Sequence, residues 1–443
     1  VTDKQQEKRF KATTPAKRLF KLAGMSMSIA KNVANNKVKG MFSDEETRQQ
    51  HKEELYSNIG AQITETLGEM KGAVMKVGQI VSQVKDLLPS EIAEALESLQ
   101  KESPPMPYNL IRQQVIRSLG DDPQTLFSHF DTEPFAAASI GQVHRAITKE
   151  GVECVVKIQY PGVKESCDSD LKQIKRLFKM AGLVRISKDA MDKIFHEIRT
   201  MLHEELDYQN EADNILFFAE HYKNHPYVQV PNLIKSLSTD TILTLTYLEG
   251  DSLTNLDESV YTQEKRNQIA YRLFETMGQQ MFNLRVMHCD PHPGNFACRP
   301  DGTLIIYDFG AVKRVSAEAI NHHRQLVTDI FDGRTDTIDK CLTDIGVRPD
   351  NGSVVPESYY QEWLNITMPM FSSDTPYDFG TTDVHIKSMQ KVRTDALKYI
   401  GAFQPSPESM QINRVLTGHY WTMVNLKAKV ALRPLIQTIL LDE

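Results

Sequence analysis

Apolar positions recur at helical spacing over residues 17–33, KRLFKLAGMSMSIAKNV. Leu19, Leu22, Ala23, Ile29, Ala30 and Val33 fall on one arc, and Lys17, Lys21 and Lys31 lie opposite. A basic amphipathic helix of this kind lies on a membrane surface, or packs its apolar face on its own domain or on a second copy. Helical patterns follow over about 53–84 and 87–100, ended by SPPMP at 103–107, and a short helix is predicted over 108–119. The pattern then changes to strand and turn in FAAASIGQVHRAIT (135–148) and GVECVVKIQYPGV (151–163), the latter an apolar run around Lys157. Helices over 169–181 and 190–221 and strands over 228–233 and 241–248 come next. Beyond Gly250 the chain reads as helical, interrupted by the strand-like TLIIYDFG. Helices, a small sheet and a helical half predict an α+β fold of two lobes with an N-terminal helical extension. The expected segments are 1–45 (basic and amphipathic), 46–107 (helical extension), 108–249 (N-lobe) and 250–443 (C-lobe).

Composition adds a charge asymmetry. The 443 residues carry a net charge of −7, yet residues 1–40 hold ten Lys and Arg against Asp3 and Glu7, a net +8, which leaves −15 on the remainder. A basic tail on an acidic body suits an anionic surface. No apolar run reaches the roughly 18 residues a spanning helix needs. Val1 stands where an initiating methionine would, leaving room for a preceding segment such as a targeting signal. Five scattered cysteines without a CxxC pair predict neither a disulfide framework nor a zinc ribbon, and point to a reducing compartment.

Candidate chemistry lies in three places. Lys157 is carried on an apolar strand, where an ammonium needs an acid partner unless the strand is an edge with a wet face. Upstream, AAASIGQV offers a turn whose backbone amides suit phosphate; Gly141 and Val143 fit the end of a kinase glycine loop, but Ala136 and Ala138 replace its first two glycines. Downstream, HCDPHPGN sets Asp290 and Asn295 five residues apart, and Asp308-Phe309-Gly310 begins thirteen residues later. That order matches the base, metal-binding amide and metal-binding carboxylate of a kinase-type site. A transition-metal cluster of His288, Cys289, Asp290 and His292 is the rival reading, disfavoured by Pro291 and Pro293.

Taken together, KVGQ (76–79), FAAASIGQVHRA (135–146), VVKIQYPGV (155–163), EELDYQNEADN (204–214), HCDPHPGN (288–295) and YDFG (307–310) resemble the UbiB family of atypical kinase-like proteins, from about residue 55 onward. The resemblance implies a protein-kinase-like fold binding ATP (or ADP) with Mg2+, with the KxGQ helices over the place where a protein substrate would dock. It implies nucleotide contacts from Ala136, Ala137, Ala138, Ser139, Lys157 and the backbone of Thr246 and Leu248. Asn295 and Asp308 would hold the metal, Lys157 would pair with Glu211, and Asp290 would be the base. Lys76, Gln79, Glu205 and Asp207 would be the family-specific gating residues. Cys289 at the usual arginine position and the absence of A-P-E after Gly310 argue against a protein kinase regulated by its activation loop.

The expectation is therefore an atypical kinase or ATPase passing phosphoryl groups to water or a small molecule, in support of ubiquinone biosynthesis or lipid homeostasis. Its place would be the cytoplasmic face of a bacterial inner membrane or the mitochondrial matrix, peripheral to the membrane. Expected partners are ATP, a lipid or quinone-precursor molecule, an anionic membrane, biosynthetic partner proteins and a second copy of the chain; nucleic acid is not among them. The alternative is a nucleotide-sensing scaffold without turnover.

Overall fold

The computed structural model describes residues 15–40, 44–70, 89–102, 105–137, 140–180, 188–395, 398–399, 401–404 and 406–441. Lys76, Gln79, Ala138 and Ser139 lie outside them, as do residues 1–14. The chain divides into two compact units, residues 1–212 with 232–247, and residues 213–231 with 248–443.

The first unit is built on an antiparallel sheet in the order His129–Phe130, Gly141–Ile147, Glu153–Gln159, Ile242–Thr246, with Ala136–Ala137 also paired to Gly141–Ile147. Glu153–Gln159 is thus an interior strand, its Lys157 in register with Val143 on one side and Leu243 on the other. Gly141 allows a close approach of the two strands: an added Cβ would stand 2.3 Å from the Ile158 carbonyl oxygen. The next residues of the motif turn inward. Gln142, fully buried, accepts from the Met106 N–H (3.0 Å) and meets His144 Nε2 (3.0 Å), while His144 Nδ1 donates to the Asp131 carbonyl (2.8 Å). The Gly141–His144 stretch therefore satisfies buried polar groups and ties residue 106 to the sheet.

The amphipathic helix runs Pro15–Gly40 and packs on Glu45–Met70 and Val163–Met180 of its own unit. Leu22, Met25 and Ile29 are buried. Of the predicted arc, Ala23 and Ala30 are exposed and the Leu19 side chain falls outside the described ones. A methyl group gains little from burial, so the i, i+3, i+7 stripe of long side chains sets which face turns inward. Arg18 goes in with that face, 2.6 Å from Asp170 on the helix Val163–Met180. Phe20 and Met27 project outward, 80% and 75% exposed. Among the described residues no helix is long and apolar enough to cross a membrane.

The helix expected over 190–221 is two helices, Lys188–Glu205 and Tyr208–His221. Two hydrogen bonds fix the break: the Leu206 carbonyl accepts from the buried Gln159 side chain (2.9 Å), and Asp207 turns its carboxylate to the Asn210 N–H (3.0 Å), capping the second helix.

In the second unit the region read as helical contains several strands of two or three residues. Val286–His288 pairs antiparallel with Val312–Arg314; Phe296–Cys298 pairs with Leu304–Ile306, flanked by Asp251–Ser252 and Val228–Gln229. Segments this short carry no readable period. The long helix Gln263–Gln279 ends in a π-helical turn, Gln280–Leu284, closed by Arg285 in the left-handed region (φ 57°), and the strand bearing His288 follows at once. The Gln280 side chain bridges the two, donating to the Tyr222 hydroxyl (3.1 Å) and accepting from the His288 N–H (3.0 Å). Short π segments of this sort mark functional places in helices.

Candidate functional site

Two groups of predicted residues are each brought together within a unit. In the first, Lys157 Nζ lies 2.8 and 2.9 Å from the two carboxylate oxygens of Glu211, and 5.1 Å from the centre of the Tyr208 ring. The lysine side chain is 16% exposed and the glutamate 2%. A charge pair buried this far must be well made, because either ion alone is costly there. Asp207, capping the helix that carries Glu211, sets the start of that helix and so the reach of its acid; Glu205 ends the preceding helix. Ala136 and Ala137 lie on their short strand, exposed. The Thr246 N–H donates to the Asn232 carbonyl (2.9 Å).

In the second unit the loop after His288 is held open by its own turn: His292 Nδ1 accepts from the Gly294 N–H, and the Asn295 N–H returns to the His292 carbonyl. Asn295 Nδ2 then donates to Asp290 Oδ2 (2.8 Å) and to the Asp290 carbonyl (3.2 Å). With its amide nitrogen spent on Asp290, Asn295 turns its amide oxygen the other way, and a hard cation takes that kind of donor. Asp308 lies at the end of the neighbouring hairpin, tied through the Tyr307 N–H to the Asn295 carbonyl (2.9 Å). Its Oδ1 accepts from the Gly310 N–H (3.0 Å), and its carbonyl accepts from His288 Nε2 (2.6 Å), which fixes the neutral imidazole with its proton on Nε2. Phe309 is fully buried, stacked on Phe218 at 4.8 Å, with its carbonyl receiving Asn214 Nδ2 (3.0 Å). Leu248, expected at the nucleotide's base, gives its carbonyl to the Tyr307 hydroxyl (2.9 Å).

Oxygen donors from an amide and a carboxylate fit Mg2+ and suit softer metals poorly. The rival cluster does not converge: His288 and Cys289 are buried, His292 is exposed, and among the described residues no three His, Cys, Asp or Glu side chains gather as a metal group.

One residue absent from the sequence reading joins this site. Arg414, on the helix Pro407–Asn425, places Nη2 3.1 Å from Asp290 Oδ1, so the carboxylate is held between a guanidinium and the Asn295 amide. The helix can pass this close because residue 418 is glycine; a Cβ there would stand 2.1 Å from the Pro291 ring. No motif or spacing marks Arg414, which lies 124 residues from its partner.

One turn further on, His419 packs on Phe296 (5.5 Å), and its burial, with His288 nearby, lowers its pKa to about 3. The folded chain keeps His419 neutral, while the unfolded chain protonates it near about 6.5. Stability from this residue is whole above pH 6.5 and falls as pH drops from there toward 3, by about 1.4 kcal/mol per unit. Urea midpoints between pH 7.5 and 5 should therefore fall in the wild type and fall less steeply in His419→Gln; identical slopes would contradict the assignment.

An ABC1 atypical kinase-like domain model matches residues 98–342. The chain is similar to atypical kinase coq-8, mitochondrial, of Caenorhabditis elegans, at 30% identity over 83% of this chain and 49% of that protein. It is 36% identical to atypical kinase COQ8, mitochondrial, of Saccharomyces cerevisiae over 61% of this chain and 54% of that one. It thus spans about half the length of these curated relatives. Among solved structures, the Rv3197–erythromycin complex from Mycobacterium tuberculosis superposes with a TM-score of 0.59 at 27% identity, covering 88% of this chain and 98% of that one.

Proposed function

The chain belongs to the ABC1 atypical kinase-like family, with that family's α+β kinase-like fold, and on that premise we propose a magnesium-dependent ATPase or small-molecule kinase that supports ubiquinone biosynthesis or lipid homeostasis at a membrane. The observation that carries the reading is Asp290, fixed by Asn295 on one oxygen and Arg414 on the other. A carboxylate so oriented can take the proton of a water or a small hydroxyl acceptor. Lys157, held by Glu211, supplies a fixed cation for phosphate oxygens. Asn295 and Asp308 are the residues that would hold Mg2+, which when bound neutralises charge on the nucleotide phosphates. Arg414 adds a cation beside the base, where negative charge develops as the phosphoryl group moves.

Turnover on water or a small molecule, in place of a protein, is supported by the alanines at 136 and 138 and by the missing A-P-E after Gly310. A peripheral place on an anionic membrane is supported by the +8 charge of residues 1–40 and by the outward Phe20 and Met27. The names of the relatives support the biosynthetic role and a mitochondrial setting. The scaffold reading keeps the same contacts, with Arg414 and Asp290 as a structural ion pair in place of a poised base.

Steady-state ATP hydrolysis with Mg2+, with and without anionic vesicles, separates the two. An enzyme should turn over and lose about 10²–10⁴-fold in Asp290→Asn, the usual worth of a positioned base. Nucleotide binding without turnover under every condition would establish the scaffold.

A further inference from the structure

The helices of the second unit line a partly open apolar pocket of about 350 Å3 that the nucleotide chemistry does not use. Its walls include Phe274, Met281, Leu326, Ile330 and Leu364, and no Asp, Glu, Lys or Arg is among the described residues lining it. Ligand sites are concave, mostly apolar and about 300–1,000 Å3 in volume, and a hydrocarbon-lined pocket of this size meets that description. An apolar cavity of about 150 Å3 already takes a benzene ring; this one has room for roughly twice that.

Ser409 on the wall is 5% exposed, and its hydroxyl has no hydrogen-bond partner among the described residues. Buried hydroxyls are normally satisfied, and an unsatisfied one costs its desolvation. The Thr367 hydroxyl, by contrast, donates to the Trp363 carbonyl. His323 donates from Nδ1 to the Ala319 carbonyl (2.7 Å), which leaves Nε2 an acceptor, and burial disfavours its charged form. The wall thus offers hydrocarbon, a hydroxyl lacking a partner, a neutral imidazole and the amide of Asn413, and no counter-ion for a charged head.

We propose that this cavity binds an uncharged amphipathic lipid, a hydrocarbon body bearing one hydroxyl or carbonyl that pairs with Ser409. The site is separate from the nucleotide site, and its test does not depend on turnover.

The probe is 1-decanol, titrated into the full chain by calorimetry and thermal unfolding, beside decyl sulfate as the charged-head control and naphthalene as the hydrocarbon without a hydroxyl. The expected result is saturable one-to-one binding of decanol and none of decyl sulfate, with a rise in Tm of roughly 1–3 °C at tenfold excess over Kd. Ser409→Ala should weaken decanol about 5–10-fold and leave naphthalene unchanged. Leu326→Trp, which fills the space, should abolish both. Absence of saturable binding, equal binding of decyl sulfate, or decanol affinity unmoved by Ser409→Ala would overturn the proposal. Because Ser409→Ala removes only an oxygen, the test stands even if the tryptophan variant does not fold.

Discussion

Asp308→Asn should lower magnesium-dependent ATP turnover about 10³-fold while leaving the fold intact. The backbone at this position is held from both sides, by His288 on the Asp308 carbonyl and by the buried, stacked Phe309 ring. Asparagine keeps the volume and, through its amide oxygen, the acceptor for the Gly310 N–H. What it loses is one negative charge, the property that a divalent cation reads. The expected signature is a Mg2+ titration that no longer saturates in the same range, with Tm within about 2 °C of the wild type. Turnover within tenfold of the wild type would remove Asp308 from the metal site, and a collapse in Tm would mean that its role is structural.

The second large effect concerns stability. Asp170→Asn should cost about 3–5 kcal/mol in urea denaturation, because Arg18 stays charged and buried beside an amide in place of a carboxylate. The pair is unusually dry, with side-chain exposures of 4% and 2% and two contacts of 2.6 and 2.9 Å. Replacing both partners, Arg18→Met with Asp170→Leu, should recover most of the loss, since a hydrophobic pair of similar volume avoids the desolvation of two ions. A cost below about 1 kcal/mol for Asp170→Asn would mean that water reaches the pair.

The same pair shows where the sequence stops being readable. The helical period of residues 17–33 reveals Leu22 and Ile29 as inward, but no period reveals that Arg18 follows them, because its partner lies 152 residues away. The helix Tyr108–Leu119 is read correctly because local chemistry marks both ends, with Pro107 before it and Gly120 in the left-handed region (φ 87°) after it. The break at Leu206–Asp207 is missed because the apolar period runs through it; what stops the helix is Gln159, a residue of the sheet. In the candidate site, Asp290, Asn295 and Asp308 are legible from fixed spacing, since one loop and one hairpin place them. Arg414 arrives from a distant helix through the space left by Gly418, and only tertiary structure brings it there.

All five cysteines are buried. Burial pushes the thiol of Cys154 up to about 11, that of Cys167 to about 12 and that of Cys298 to about 11, so the nucleophilic thiolate is scarce in the folded chain. Alkylation at neutral pH must then wait for local or global opening, and the molecule carries its own clocks. Cys154 and Cys167 time the opening of one unit, and Cys289, Cys298 and Cys341 that of the other. Mass spectrometry of pulse-alkylated protein would show, with no engineered probe, whether the two units open in one cooperative event or in two.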